Sequence, residues 1–502
     1  MRFKILFLML FCCLLSIQAF AVDQSDECAS WLVFFKAEKS EDMTKFNDRA
    51  ELISALQSRC TRNIESLDTR LELKPLWISN AAVVTASAKE VARLAENDNV
   101  DHVAPDRYRQ FIRPGIDWNP SEGAVCKGPV WSVEKVNAPK VWSEYGLDGS
   151  GVVVGIIDSG IYEAHPALKG KVLKWKDFSP AQKDEPYDEQ GHGTHVAGSI
   201  VGGNGVGVAP GARLIVAKVF DKTGNAMDSW VLAAMQWVMD PDGNPNTNDG
   251  PRLVNNSWGE DKNPDKTYWA ASRAWQAAGI LPVFAAGNSG PNGKVAVPAN
   301  YPHCWAVGAT TKSDVKAHFS SIGPIVWDGV TLTKPDIAAP GFQVYSCSKT
   351  GGMIYNSGTS MACPHVAGLA ALMFQAKPKM SLLQVRSIAE STSIDLGEAG
   401  KDNYYGSGRF DAFACISKVK NVVRLAENFG AYEELLNSEK ALIGVGPVSP
   451  LARPVAESLV KQAAELDEGE FRALAGEFEQ GTPASLLVNQ ARQLRTAKTL
   501  HN

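Results

Sequence analysis

The sequence predicts a three-layer α/β protein, with a mostly parallel sheet between helices. A small α+β unit precedes it and a helical extension follows. Three observations carry this. From about residue 131 to 415, short apolar runs bounded by turn signals alternate with segments of helical spacing, the pattern of strands buried on both faces of a covered sheet. Residues 28 to 112 mix alternating strands with two short amphipathic helices. Residues 416 to 502 carry helical spacing only.

In chain order, Arg2 and Lys4 precede an eleven-residue apolar run, Ile5 to Leu15. That length suits the core of a signal peptide and is too short to span a bilayer. Ala19-Phe20-Ala21 supplies the small-x-small pattern of a cleavage site, so residues 1–21 are expected to leave as a signal peptide. Secretion follows, to the extracellular space or a periplasm. Cys12 and Cys13 leave with the signal. Seven of the nine cysteines then remain in an oxidising compartment. An odd number leaves at least one outside any intramolecular bridge. Cys28–Cys60 and Cys304–Cys347 are the pairings considered, and connectivity stays open.

In the small unit, Trp31 to Phe35, Ala81 to Thr85 and Val100 to Val103 read as strands, the last stopped by Pro105. Lys45 to Cys60 carries helical spacing through Phe46, Leu52, Ile53 and Leu56. Ser87 and Glu90 form a capping box for a helix over Ala88 to Ala95. Gln110 to Val130, rich in Gly and Pro, reads as a linker. The main sheet draws on Val152–Ile157, Arg213–Ala217, Leu253–Asn255, Leu281–Ala285 and Trp305–Val307. Helices are expected over His195–Val201, Trp230–Met239 and Tyr268–Ala278. The extension reads as helices over Val419–Leu436, Val455–Glu479 and Ala484–Leu500. Gly444 to Pro450 breaks the first from the second, and Thr482-Pro483 caps the third.

Composition excludes several classes. Apolar residues make up 45% and charged residues 21%, so the chain is neither disordered nor collagen-like. A net charge of −5 gives no global basic field for nucleic acid, and no transmembrane segment is expected.

Three glycine-bounded stretches each present one polar side chain. Ile156-Ile-Asp-Ser-Gly160 puts Asp158 at the C-terminal end of a buried strand, where open α/β sheets hold their sites. Gly191-His-Gly-Thr-His-Val-Ala-Gly198 puts His192 between two glycines at a helix start. Asn356-Ser-Gly-Thr-Ser-Met-Ala-Cys-Pro-His-Val-Ala-Gly368 puts Ser360 at the head of a helix apolar all round. Alone, each has a structural reading: a loop-capping aspartate, a core histidine, a serine N-cap. Together, Asp, His and Ser are the parts of an acyl-transfer triad.

At these motifs the sequence resembles the subtilisin-like serine proteases, whose Asp, His, Ser order it matches. The resemblance covers about 28 to 415. Val297–Pro302, Phe319–Gly323 and Lys334–Gly341 also resemble family segments. Asn255–Gly259 and the loop from Trp237 to Gly250 look most like the bacillopeptidase F branch. The resemblance implies the three-layer subtilisin-like fold and a serine endopeptidase with Asp158, His192 and Ser360 as its triad. It implies Asn288, in Ala285-Ala-Gly-Asn288, as oxyanion donor. Ser257, Trp258 and Gly259 would pair with substrate and line the primary pocket, with Ala285, Ala286 and Gly287 as its other wall. Neither stretch holds a charge, so an apolar or aromatic side chain before the scissile bond is expected. Trp258 is equally readable as core, and Asn288 as a turn residue.

The domains are then a signal at 1–21, an inhibitory propeptide at 22–112, a catalytic domain at 113–415 and a helical extension at 416–502. The partners are peptide substrates and the chain's own propeptide. No cofactor is required. Calcium is possible, yet the family's strong site wants an aspartate where Ala167 stands, and Gly202 to Pro210 is short, so no metal residues are assigned. Cys363 is expected to pack as a buried thiol. Two other classes compete with the protease. Zinc bound by His192, His195, Cys363 and His365 would leave the Asp158 and Ser360 motifs unexplained. A catalytically silent binding protein on a protease fold would have no use for an intact triad and Asn288.

Overall fold

The computed structural model of the protein describes residues 27–37, 43, 46, 48–111, 119–123, 128–261, 265–443, 452–478, 480 and 482–500. The signal peptide, Cys126 and the expected break at Gly444 to Pro450 lie outside them. The described chain forms two units. One holds residues up to 41 and 56–106; the other holds 42–55 and everything from 107 onward.

The smaller unit is built on a four-stranded antiparallel sheet. Its order is Leu73–Leu76, Ala81–Ala86, Ala29–Phe35, Val100–Pro105. The helix Ala88–Ala95 begins with the expected capping box, Ser87 accepting from the Glu90 amide and Glu90 accepting from the Ser87 amide. It sets Val91 and Leu94 among Val33, Phe35, Val84 and Val100. One sequence expectation needs correction, and one strand was not foreseen. Pro105 does not stop the last strand but closes it, opposite Trp31. Leu73–Leu76 reads poorly as a strand because it contains Pro75, yet it lies at the sheet edge, where a missing N–H costs no ladder bond.

The larger unit is organised by a seven-stranded sheet in the order Ile337–Pro340, Trp305–Thr310, Leu281–Ala285, Leu253–Asn256, Val153–Asp158, Arg213–Lys218, Val172–Asp177. All six pairings are parallel. Strands three to five are buried over almost their whole length, as their mostly apolar runs require, with Asn255 and Asn256 buried at the end of the fourth. The edge strand Val172–Asp177 escapes the apolar-run signature because Lys174 and Lys176 interrupt it. Helices His192–Val201 and Thr359–Ala376 pack against each other beside the sheet, and both are buried along nearly their full length.

One strand ends at the first residue of the expected linker and another lies within it. Tyr108–Gln110 pairs antiparallel with Asn225–Met227, and Asn119–Gly123 joins Met353–Asn356. Glycine and proline mark this stretch as irregular in sequence; only distant partners make it extended. In the extension, the segment expected as one helix, Val455–Glu479, is two: Ala452–Glu465 and Glu468–Ala475. The break falls at Leu466-Asp467, where the Asp467 carbonyl accepts the Phe471 amide and its side chain meets Lys418. The flanking helices are Ala412–Ile443 and Pro483–Leu500. Phe429, Leu459, Leu474 and Val488 lie in the same apolar core as the sheet. No helix among the described residues is long and apolar enough to cross a membrane.

Neither considered disulfide forms. Cys28 is exposed, whereas the buried Cys60 thiol is turned to the Ala81 carbonyl at 3.3 Å. Cys304 is likewise buried and unbridged, and burial pushes its thiol up to about 12.

Candidate active site

Asp158 ends its strand fully buried. Its Oδ1 accepts the Ser159 amide at 2.7 Å and lies 2.8 Å from His192 Nδ1. Its Oδ2 has no hydrogen-bond partner among the described residues, so part of this carboxylate's charge is unshared. His192 is the first residue of its helix, after Gly191 at φ 100°. The next residue must be glycine for a steric reason. A Cβ on Gly193 would sit 2.1 Å from the Gly160 carbonyl and 3.1 Å from Asp158 Oδ1. The spacing of the histidine motif is therefore the cost of bringing a helix start against a strand end.

Asp188 holds these two elements together, and nothing in the sequence marks it. Its Oδ1 accepts from Ser159 Oγ at 2.9 Å and from the Gly191 amide at 2.7 Å. Its Oδ2 accepts the Thr194 amide and hydroxyl at 2.9 and 2.6 Å. Ser159 Oγ accepts the Gly193 amide at 2.9 Å. Lys218, also unmarked and fully buried, donates to the carbonyls of Ser159 and Phe220 at 2.8 and 2.6 Å. Both residues fix the loop that carries Asp158.

Ser360 is the second residue of the helix Thr359–Ala376. Helix-start amides have no intrahelical partner, and the helix dipole favours negative charge there. Its Oγ donates to the Ser257 carbonyl at 3.0 Å, and Ser257 Oγ donates to the Ser360 carbonyl at 2.8 Å. No hydrogen bond joins Ser360 Oγ to His192 among the described residues. Nucleophile–base contacts are commonly loose without substrate.

Asn288 is oriented by the same helix. Its Oδ1 accepts the Thr359 amide at 2.8 Å and the Thr359 hydroxyl at 2.9 Å. A backbone N–H can only donate, so this contact fixes which amide atom is oxygen and leaves Nδ2 as the free donor. Gly287 precedes it at φ 109°, and a Cβ there would meet Ala296 Cβ and Ser321 Oγ at 3.0 Å.

A cleft beside Ser360 is lined by Trp258, Gly259, Asp261, Ala285, Gly287, Asn288 and Ala296. Two of its residues change the picture that sequence alone gives. Ala296 closes the floor: a Cβ on Gly259 would come within 3.2 Å of its methyl. Asp261 adds a carboxylate to a wall read as uncharged, where it accepts from Ser289 Oγ. Ser257 is fully buried and Ala286 lies behind the cleft, its carbonyl accepting the Ala296 amide at 2.8 Å. Trp258 is both core and wall. It is 2% exposed and packs edge-on against Phe111, Phe220, Tyr268 and Phe284.

Residues 107–111 occupy the rest of this groove. The Phe111 amide donates to the Gly224 carbonyl at 3.0 Å, and its carbonyl accepts from the Gly259 amide at 3.4 Å. Its ring sits among Phe220, Trp258 and Tyr268. The sequence gives no hint of this beyond the apolar residue in a basic stretch.

The residues considered for zinc do not converge. His195 Nε2 bonds the Val344 carbonyl, His365 Nδ1 the Met361 carbonyl, and Cys363 Sγ faces the Asn256 carbonyl. Burial pushes His195 down to about 3 and His365 down to about 4, and raises the Cys363 thiol.

The family and the relatives of this chain are those of a serine-type endopeptidase, a hydrolase. Comparison with known proteins gives the family: residues 149–408 match the Subtilase family, to which this chain belongs. Within it the chain falls in the bacillopeptidase F-like branch. It is 33% identical over 431 residues to Bacillopeptidase F of Bacillus subtilis (strain 168), covering 76% of this chain and 30% of that protein. It is 33% identical over 365 residues to Subtilisin NAT of Bacillus subtilis subsp. natto, covering 71% and 86%. It is 36% identical over 288 residues to Subtilisin Savinase of Lederbergia lenta, covering 57% and 97%. The chain thus spans less than a third of Bacillopeptidase F but most of the shorter relatives.

Proposed function

We propose that this chain is the precursor of a secreted endopeptidase that cuts peptide bonds through an acyl-enzyme. Ser360 Oγ attacks the scissile carbonyl, after turning from the Ser257 carbonyl toward His192. His192 takes the proton and returns it to the leaving amine. Asp158 holds the imidazole through Nδ1 and stabilises the imidazolium. Asn288 Nδ2 and the Ser360 amide donate to the oxyanion. The observation that carries this reading is the shared anchor. One helix start presents the Ser360 amide and, through Thr359, aims the Asn288 side chain, while the Asp158–His192 pair stands in the same edge of the sheet.

Ser257 to Gly259 act as the strand on which substrate adds. The small apolar floor at Ala296 supports a preference for apolar side chains before the scissile bond, with Asp261 at the wall. Residues 22–112 act as an inhibitory propeptide, and the seating of Phe111 supports this, because a segment in the groove excludes substrate. Cleavage after Ala21 exports the chain. A serine-directed fluorophosphonate is the test. Labelling of Ser360 that is lost in His192→Ala supports the reading. A chain that cleaves peptides without being labelled overturns the serine mechanism, and one that is neither labelled nor hydrolyses peptides after the propeptide has gone overturns it in favour of a silent binding protein.

A further inference from the structure

Arg109 is a buried charge that the reaction does not use. It lies on the segment in the groove, two residues before Phe111, and is 7% exposed. Its Nε and Nη2 donate to Asp228 Oδ2 at 3.0 and 2.8 Å. Its Nη1 donates to Asp265 Oδ2 at 2.7 Å and to Glu260. Two of the three carboxylates are also held by groups other than Arg109, and the third sits on an anchored backbone. Tyr268 OH donates to Asp228 Oδ1 at 2.5 Å. The Thr267 amide and hydroxyl donate to Asp265 Oδ1 at 2.8 and 2.6 Å. Glu260 is fixed by backbone pairing with Val297. The pocket is therefore shaped without its occupant.

Three carboxylates around the Arg109 guanidinium, with the half-exposed Arg107 as a second cation 3.7 Å from Asp265, leave a net negative site of low hydration. Such a site is stable only while a cation fills it. Its occupant enters as a substrate would. The segment is extended, pairs Tyr108 with Met227 and Gln110 with Asn225, and sends alternate side chains inward. Arg109 and Phe111 are buried, while Tyr108 is 54% exposed.

We propose that Asp228, Glu260 and Asp265 form a subsite for a guanidinium side chain of the peptide substrate, two residues before the residue that fills the Phe220–Trp258–Tyr268 pocket. Arg109 is its occupant in the latent chain. The proposal rests on the reading of residues 107–111 as a substrate-like segment. Arginine suits the site better than lysine, because its planar fork reaches Asp228 and Asp265 together while an ammonium is a point charge.

The test uses the full chain, matured until fluorophosphonate labelling of Ser360 is complete. Synthetic peptides copying residues 105–113, with Arg, Lys, Ala or Glu at position 109, compete against a short chromogenic substrate. The expected order of inhibition is Arg, then Lys, then Ala, then Glu, with Arg at least tenfold tighter than Ala. Replacing Phe111 by Ala in the peptide weakens all four alike. In Glu260→Gln enzyme the ratio of Arg-peptide to Ala-peptide inhibition shrinks severalfold, both peptides being read on the same labelled enzyme. Equal inhibition by the Arg and Ala peptides in labelled, active enzyme overturns the subsite and leaves the protease reading standing. Equal inhibition by the parent peptide and its Phe111→Ala variant overturns the groove reading beneath it and the subsite with it. A chain that neither labels nor hydrolyses any peptide overturns everything proposed for the groove.

Discussion

The proposed oxyanion role of Asn288 can be separated from its structural role, because its two amide atoms do different things. Oδ1 holds the Thr359 amide and hydroxyl; Nδ2 is left as the donor of a residue that lines the cleft. In Asn288→Asp the acceptor stays and both Thr359 bonds survive, while the donor becomes a carboxylate oxygen that repels a developing oxyanion. Loss of one such donor costs about 10²–10³ in rate, about 2.7–4 kcal/mol of barrier, a value taken from subtilisin. The added repulsion makes that a lower bound. In Asn288→Ala the catalytic loss is similar, and the Thr359 amide also loses its partner, at about 1–3 kcal/mol of stability. The assay is kcat on a chromogenic peptide, paired with a urea midpoint measured on the same variants carrying Ser360→Ala. The expected outcome is a large fall in kcat for both, with a lowered midpoint for Ala only. An Asp variant that keeps kcat within about fivefold of the parent would refute the assignment of Nδ2 as an oxyanion donor.

Three further outcomes follow from the same geometry. Purified Ser360→Ala precursor retains residues up to about 112, checked by intact mass; normal processing of that variant would mean the junction is cut by another enzyme. Ala296→Gly removes the methyl from the cleft floor, so kcat/KM shifts severalfold toward larger side chains before the scissile bond, read from a series of Ala, Leu and Phe peptides; an unchanged ranking would remove Ala296 from the pocket. His195, His303 and His365 are buried, and desolvation lowers them to about 3, about 3 and about 4. Their folded values lie below the unfolded value near 6.5, so their contribution is complete above pH 6.5 and is lost as pH falls from there through the folded values. Between pH 6.5 and 5 each histidine removes about 2 kcal/mol. Urea unfolding of the Ser360→Ala chain at pH 7 and pH 5 checks this, and equal stability at the two pH values would contradict neutral burial.

The central strands were legible because a strand covered on both faces must be apolar throughout, as Val153–Ile157 and Leu281–Ala285 are. The motifs were legible because glycine is demanded wherever backbone meets backbone, as at Gly193 against Gly160. What escaped has one character. Pro75, Lys174 and Lys176 sit on edge strands, where one side of the backbone or side-chain row is free of packing demands. The strands at Tyr108–Gln110 and Asn119–Gly123 acquire their conformation from partners more than a hundred residues away. The break at Leu466-Asp467 depends on Lys418, which helical periodicity does not see.

By itself the sequence determined the family and pointed to the proposed chemistry, because Asp158, His192, Ser360 and Asn288 sit in glycine-rich turns and helix starts that leave a local signature. Tertiary structure alone decided what surrounds them. It set Asp188 and Lys218 behind the triad loop, closed the cleft floor with Ala296, and buried Arg109 among three carboxylates. Charge and shape complementarity between distant segments leave no periodic or local signature, so they become readable only when the chain has brought those segments together.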